Sequence, residues 1–446
     1  MKIATILLAA GEGNRMRANI PKVLCPLGGV PLYVHAIDTV SELKASHRIA
    51  VLGYKSELVQ QSFAEFGLDF RFAEQRKRLG TAHAVSVALK ELTDFEGQAL
   101  VMYGDTPFLT TGTVKSLIDA ARDASGVAVL GFETENPVRY GRLVVGADGG
   151  LERIVEHKDA TSSERSIKLC NSGILCASVD LLRLLLPRIK PSNAAAEYYL
   201  TDIVGIARAR GIRCVIVKCH EDEAIGVNSA SELAHAESVF QRGARRRALA
   251  AGAMLKAPES VVFSFDTRVA DGATIGPNVV FGADVNVANG AHIRAFSHLE
   301  GCSVGENAVV GPYARIRPGT IIGPSSRIGN FVEIKASTIG QGTKIQHLSY
   351  VGDATIGDRT NVGAGTVFCN YDGERKHRTR VGNEVFIGSG TMLVAPLTIG
   401  DGAITAAGSV ITDDVPDNSL SIARSRQANK PDYADRLKRL RTAGNR

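Results

Sequence analysis

Leu8-Ala9-Ala10-Gly11-Glu12-Gly13-Asn14-Arg15-Met16 brings small residues and a cation to the end of the apolar run Ile3–Ala10. Gly11 and Gly13 let backbone N–H groups come close to an anion, and Arg15 adds a positive charge beside them. Lys22, in Pro21-Lys22-Val23-Leu24, supplies a second cation, so the segment reads as a seat for phosphates. The third glycine of a dinucleotide fingerprint is missing, and a plain strand-to-helix turn would use the same two glycines. Tyr103-Gly104-Asp105 closes another apolar run and precedes Thr106-Pro107. Asp105 is there either as a turn former or as a ligand for Mg²⁺, a hard cation that takes a carboxylate together with substrate phosphates.

A second set of reactive side chains lies far downstream, where residues break a repeat. Lys335 follows Ile334 at a place where glycine or another small residue is usual. His347 and Tyr350 stand two and five places after Ile345, and strand alternation forces neither of them into a core. Imidazole ordinarily titrates near neutral pH, so a histidine not forced into the core is a candidate acid or base.

Two different grammars must position these groups. Residues 1–228 alternate strand-like runs (Ile3–Ala10, Arg48–Leu52, Ala99–Met102, Val127–Gly131) with helical patterns (Pro31–Leu43, Thr81–Leu92). That alternation predicts an α/β layer with a largely parallel sheet, whose ligands sit beyond the carboxyl ends of its strands. Ser231 to about Gly252 reads as one helix, and residues 229–252 as a linker between domains. Residues 253–446 read as a second domain with a basic C-terminal tail, and from Val269 to Ile399 its aliphatic positions recur every six residues, as in Ile275, Phe281, Val287, Ile293 and Leu299. This hexapeptide period predicts a β-helix of triangular coils, with the aliphatic residue inside and Gly or Asn at the corner. One-residue deletions at Leu299→Val304, Ile334→Ile339 and Val351→Ile356 fit trimmed corners. Cys369 to Arg380 breaks the period and must leave the stack as a loop.

At 446 residues the chain exceeds one ordinary core, in keeping with these domains. Eight Lys/Arg from Arg424 onward, against Asp432 and Asp435, account for the whole net charge of +6, so residues 1–423 are neutral overall. Such a tail suits a small anionic ligand or a solvated face; no aromatic interleaving points to nucleic acid. Seven cysteines without a CxxC signal neither a disulfide framework nor zinc. The apolar run at the N-terminus is too short for a membrane span and lacks a cleavage pattern, so a cytoplasmic protein is expected, with no membrane partner.

The combination LAAGxGxRM, then PKVL, resembles the sugar-phosphate nucleotidylyltransferases, and among them the branch that carries an N-acetyltransferase on the same chain. The resemblance runs from the first strand to about Arg424. It implies a Rossmann-like, GT-A-type domain followed by a left-handed parallel β-helix. It also implies two activities: acetyl transfer from acetyl-CoA to glucosamine 1-phosphate, then uridylyl transfer from UTP to N-acetylglucosamine 1-phosphate with release of pyrophosphate. The product, UDP-N-acetylglucosamine, is a precursor of peptidoglycan and lipopolysaccharide. By the same resemblance Leu8, Ala9, Ala10, Gly11, Arg15, Lys22, Tyr103 and Gly104 hold the nucleotide, and Gln75, Gly80 and Thr81 contact the uracil. Asp105 and Asn228 hold Mg²⁺, while Gly141 (after Tyr140), Glu156 and Asn171 contact the sugar. The sequence departs from the common pattern at Arg78, where glutamine is usual. On the solenoid the resemblance makes His347 the general base. Arg317 and Lys335 clamp the sugar phosphate, and Tyr350 and Asn361 contact the sugar. Ala364, Asn370, Tyr371, Ser389, Ala407 and Arg424 match acetyl-CoA positions, and the solenoids form a homotrimer.

Two other readings use the same folds. A single-activity pyrophosphorylase with a solenoid tail would not need His347, Tyr350 or the Asn370-Tyr371 loop. A non-catalytic scaffold would not need Gly11, Arg15, Lys22 and Asp105. All of these residues are present.

Overall fold

The computed structural model describes residues 2–16, 18–137 and 139–443, which fall into two compact units, Met1–Gly243 and Ala244–Arg446. Arg446, counted above in the basic tail, lies outside the described residues.

The first unit is built on a nine-stranded sheet. Its strands are β1 (Ile3–Ala9), β2 (His47–Leu52), β3 (Arg71–Glu74), β4 (Gln98–Tyr103), β5 (Val127–Glu133), β6 (Gly141–Val145), β7 (Leu151–Val155), β8 (Leu169–Ser178) and β9 (Cys214–Cys219). The main path runs β9-β5-β8-β4-β1-β2-β3, with β6 paired to β8 and to β7. β1 pairs in parallel with β2 and β4, whereas β8 runs antiparallel to β4 and β5. β1 is buried along almost its whole length, so both of its faces are covered, which is why its sequence does not alternate.

The register sets up the chemistry. Leu8 lies opposite Tyr103, so the chain leaves β1 into the glycine loop directly beside the place where it leaves β4 into Gly104-Asp105. Helix α1 covers Leu32–Ser41 and α2 Ser56–Glu65, while α3 (Thr81–Ala88) is shorter than the periodicity predicts. Residues Leu89–Leu92 tighten into a 3₁₀ turn, a common way for a helix to end. The helix expected from Ser231 runs Ala230–Ala250 and is divided between the units. In its first part Phe240 packs edge-on against His35, with ring centroids 5.5 Å apart, and Glu237 accepts a hydrogen bond from the Gly28 N–H. In its last part Arg245 reaches the Val261 carbonyl and the Glu259 carboxylate.

The second unit is a parallel β-helix of three sheets, with ten, eight and eight strands. Ile275, Ile293, Val310, Ile328, Ile345, Val362 and Ile387 are stacked in register in the first of these and all are buried. The six-residue period thus places one aliphatic side chain per strand inside each coil. Val269, on the first coils, is only half-buried.

Corners depart from the sequence expectation. Asn278 and Asn307 take the left-handed conformation, but so do Phe296, Tyr313, Phe331 and Leu348, with φ of 60°, 56°, 55° and 49°. A left-handed φ on a bulky residue costs roughly 1–2 kcal/mol, so these four are held there by the repeat rather than by local preference. They stand exposed by 49%, 48%, 56% and 64%, and the first three rings stack with centroids 5.0 and 5.4 Å apart.

Candidate active sites

In the first unit, Lys22 is the centre of the geometry. Its ammonium is hydrogen-bonded to the Asp105 carboxylate and, at 2.8 Å, to the Asn228 side-chain carbonyl. Residues from three distant segments are thereby joined. Val227 N–H donates to the Asp105 carbonyl (2.9 Å), and the Asn228 N–H donates to the Glu232 carboxylate (2.7 Å), which fixes both backbones. Gly13 has φ +71°, and a Cβ there would lie 2.6 Å from the Lys22 Cβ. The glycine is what lets the lysine stem pass beneath the loop. Arg15 sits exposed on a 3₁₀ turn (Asn14–Met16) at the mouth of the loop. Two hard oxygens held side by side are a donor set that suits a magnesium ion completed by substrate phosphates.

Gln75, just past β3, is buried, and its amide contacts the Gly80 carbonyl and His83 Nδ1, both at 3.0 Å. Thr81 accepts a hydrogen bond from the Leu200 N–H, anchoring the start of α3. Arg78 does not join this group. Its guanidinium pairs instead with Glu12 at 2.5 Å, tying this segment to the glycine loop.

The proposed sugar contacts also converge. Gly141 and Asn171 are register partners, and the Glu156 carboxylate lies within 3.5 Å of where a Gly141 Cβ would be. Burial pushes the Glu156 carboxyl above its ordinary range; a hydrogen bond from Thr201 (3.1 Å) opposes this, and Asp159 and Asp202 add to it. Burial, then the Glu156 and Asp105 carboxylates, push the Tyr103 phenol up as well. A raised carboxyl favours folding only while it is protonated, so this contribution is lost as pH rises through the folded value. Glu156→Gln is therefore expected to stabilise the fold by about 1 kcal/mol at pH 7.5 and by nothing at pH 3.5, read by urea unfolding at both pH values. Equal effects at the two pH values would rule out this account of Glu156.

On the solenoid, His347 is exposed, and its Nδ1 lies 2.9 Å from the Asn330 side-chain oxygen, one coil below. If the oxygen accepts from Nδ1–H, the lone pair of Nε2 is left pointing away, free to accept a proton. Arg317 donates to Glu333 at 2.8 Å, and Lys335 lies on the same strand as Glu333. Lys376, from the loop that interrupts the repeat, lies beside Lys335 and holds it below its ordinary range, with burial and Arg317 acting in the same direction and Asp353 opposing. Three cations drawn together in this way suit a phosphate. Tyr350 and Asn370 close over Gly352: a Cβ there would lie 2.5 Å from the Tyr350 hydroxyl and 2.7 Å from the Asn370 amide. Asn361 lies beside Lys344 in register.

Ala364, Ser389, Ala407 and Arg424, expected to contact acetyl-CoA, form a column along one corner. Gly365 N–H donates to the His347 carbonyl (3.2 Å), Gly390 N–H to Ala364 (2.7 Å) and Gly408 N–H to Ser389 (2.8 Å). Arg424 completes the column with a hydrogen bond to the Ala407 carbonyl at 2.5 Å. His347 and the Ala407 end are three coils apart, about 15 Å at ordinary strand spacing. The interrupting loop spans 370–378, slightly shorter than the sequence suggests, because strand pairing holds Cys369 and resumes at Thr379. Tyr371 is exposed, and the loop is braced by Asp372, whose carboxylate takes N–H bonds from Glu374 and Arg375 and contacts His377 at 2.6 Å.

Asn330, Glu333 and Lys376 escaped the sequence reading. Asn330 could have been found by counting one coil of 17 residues back from His347. Lys376 could not, since its loop has no register.

Two family models match the chain: the MobA-like NTP transferase domain over residues 5–167 and the GMPPB C-terminal domain over residues 298–415. Proteins named bifunctional protein GlmU are similar over nearly the whole length. That of Jannaschia sp. (strain CCS1) is 50% identical over 436 residues, covering 98% of this chain and 96% of the relative. Those of Paracoccus denitrificans (strain Pd 1222) and Roseobacter denitrificans (strain ATCC 33942 / OCh 114) are 52% and 51% identical, each covering 98% of this chain and 97% of the relative.

Proposed function

The chain belongs to the GlmU family of bifunctional proteins, and from that membership we propose how its two sites make UDP-N-acetylglucosamine. Residues 1–228 form the uridylyltransferase, 229–252 join the halves, and 253–446 form the acetyltransferase. In the acetyl step the phosphate of glucosamine 1-phosphate lies against Arg317, Lys335 and Lys376. Tyr350 and Asn361 orient the sugar, and His347 Nε2 takes a proton from its ammonium. The neutral amine then attacks the thioester carbonyl of acetyl-CoA, which lies along the Ala364–Ser389–Ala407–Arg424 column with Asn370 and Tyr371 at its side. Thiol leaves, and N-acetylglucosamine 1-phosphate is formed.

In the uridylyl step the attacking group is a phosphate oxygen that is already an anion, so no protein base is needed. Leu8 to Gly11, Arg15 and Lys22 position the UTP phosphates, while Gln75, Gly80 and Thr81 hold the base. Tyr103, Gly104, Gly141, Glu156 and Asn171 hold the sugar side. Asp105 and Asn228 would hold magnesium, which when bound neutralises phosphate charge. Line-up and charge neutralisation carry this reaction.

The observation that carries the proposal is the exposed His347, fixed by Asn330 beside clustered cations on a unit separate from Asp105. A single-activity pyrophosphorylase has no use for it. The direct test supplies glucosamine 1-phosphate and acetyl-CoA and follows free thiol, with glucose 1-phosphate as control. Thiol release with the amino sugar alone is expected; equal release with both sugars, or none, would sink the reading.

The stacked corner of Phe296, Tyr313, Phe331 and Leu348 supports self-association as a homotrimer. A contiguous exposed apolar ladder is the kind of surface a partner covers, and it ends at Leu348, next to His347. A second copy seated there would border the acetyl site. Tyr313→Asp combined with Phe331→Asp is expected to give monomers by light scattering. Acetyl transfer should fall at least about tenfold while uridylyl transfer is kept, as expected when a few buried aromatic anchors carry an interface. An unchanged trimer mass would remove the ladder from the interface. No helix among the described residues is long and apolar enough to cross a membrane, and a cytoplasmic location, where UTP and acetyl-CoA are made, fits both reactions.

A further inference from the structure

Lys22 is assigned above to nucleotide phosphates, yet its ammonium is turned inward. It lies between the Asp105 carboxylate and the Asn228 carbonyl, and the side chains of Lys22 and Asp105 are only 14% and 12% exposed. These are the same two oxygens that would hold magnesium. A magnesium ion held by this pair would leave no room for an ammonium on the same oxygens, so the two cations would exclude each other.

We propose that Lys22 is the resident occupant of the metal seat in the nucleotide-free protein. It keeps Asp105 and Asn228 together and is exchanged for magnesium only when the nucleotide arrives. The inference rests on the magnesium reading above and adds an order to it. Expelling the ammonium requires an anion to receive it. Glu12, the carboxylate on the neighbouring loop, is already paired with Arg78. Asp105 itself would be taken by the metal, and the phosphates of UTP supply the missing negative charge. Metal and nucleotide therefore enter together, each favouring the other through the movement of one side chain. Gly13 is part of the device, because the lysine stem passes where a Cβ would stand.

Mn²⁺ is the probe, followed on the full chain by electron paramagnetic resonance and titration calorimetry, without substrate turnover. Wild-type protein is expected to bind Mn²⁺ weakly alone and at least about tenfold more tightly with a non-hydrolysable UTP analogue. Lys22→Met removes the competitor, so nucleotide-free Lys22→Met should bind Mn²⁺ about tenfold more tightly than wild type and gain little from the analogue. Lys22→Met also strips Asp105 of its partner, so thermal unfolding provides a second measurement. Mn²⁺ should raise the melting temperature more in Lys22→Met than in wild type. Equal or weaker Mn²⁺ binding by nucleotide-free Lys22→Met, with no larger thermal shift, overturns the exchange while leaving the metal reading intact. If the wild type takes up no Mn²⁺ even with the analogue, the magnesium reading itself falls.

Discussion

His347→Ala is expected to lower thiol release from acetyl-CoA by about 10²–10⁴-fold, the usual contribution of a positioned general base, while pyrophosphate release from UTP is unchanged. The side chain is exposed and its polar contact is the Asn330 oxygen, so its removal costs the fold little, within about 0.5 kcal/mol. What is lost is proton removal from an amine that cannot attack while it is an ammonium. The loss should therefore shrink as pH rises and more substrate amine is already neutral. Asn330→Ala offers a graded comparison, since it leaves the imidazole but frees its orientation. A loss of about tenfold, smaller than that of His347→Ala, is expected, by analogy with the 10–100-fold cost of removing the groups that orient metal-bound histidines. Both acetyl-transfer rates are read from free thiol at several pH values. A His347→Ala protein that keeps its wild-type acetyl rate would remove the imidazole from the mechanism.

Asp105→Ala is expected to do the reverse. Uridylyl transfer should fall by about 10³-fold or more, since a metal contributes several kcal/mol to charge stabilisation, and acetyl transfer should continue. Asp105 is buried at the end of β4, and without it Lys22 keeps only the Asn228 oxygen. Both the proposed phosphate loop and the proposed metal seat would be disturbed by one change, which is why the expected effect is large. Pyrophosphate release and thiol release, assayed on the same preparation, check the outcome. Should either substitution silence both reactions in a folded protein, the division into two independent sites is wrong.

Much of this was legible in the residues themselves. The hexapeptide period names the inward side chains of the β-helix one by one, because every coil repeats the same environment and the steric demand recurs with it. The unbroken apolar runs of β1 and β4 mark strands covered on both faces, and the turns that follow them are where parallel sheets place ligands. The chemical type of Lys22, Asp105 and His347 was equally plain. Their partners were not. Asn228 is 206 residues from Lys22 in the chain, and only the closing of the sheet brings their side chains within hydrogen-bonding distance. Lys376 meets Lys335 through a loop that has left the repeat, and no periodicity can assign a register to such a segment. Phe296, Tyr313 and Phe331 would be taken locally for poor corner residues, yet the stacking of coils holds them in a left-handed conformation and lines up their rings. The sequence by itself thus determined which elements form and which reactive groups they carry, because those follow from local pattern and side-chain chemistry. Which groups face one another, and that the ammonium of Lys22 sits where a metal would, was decided by long-range packing, which sets distances that no local pattern encodes.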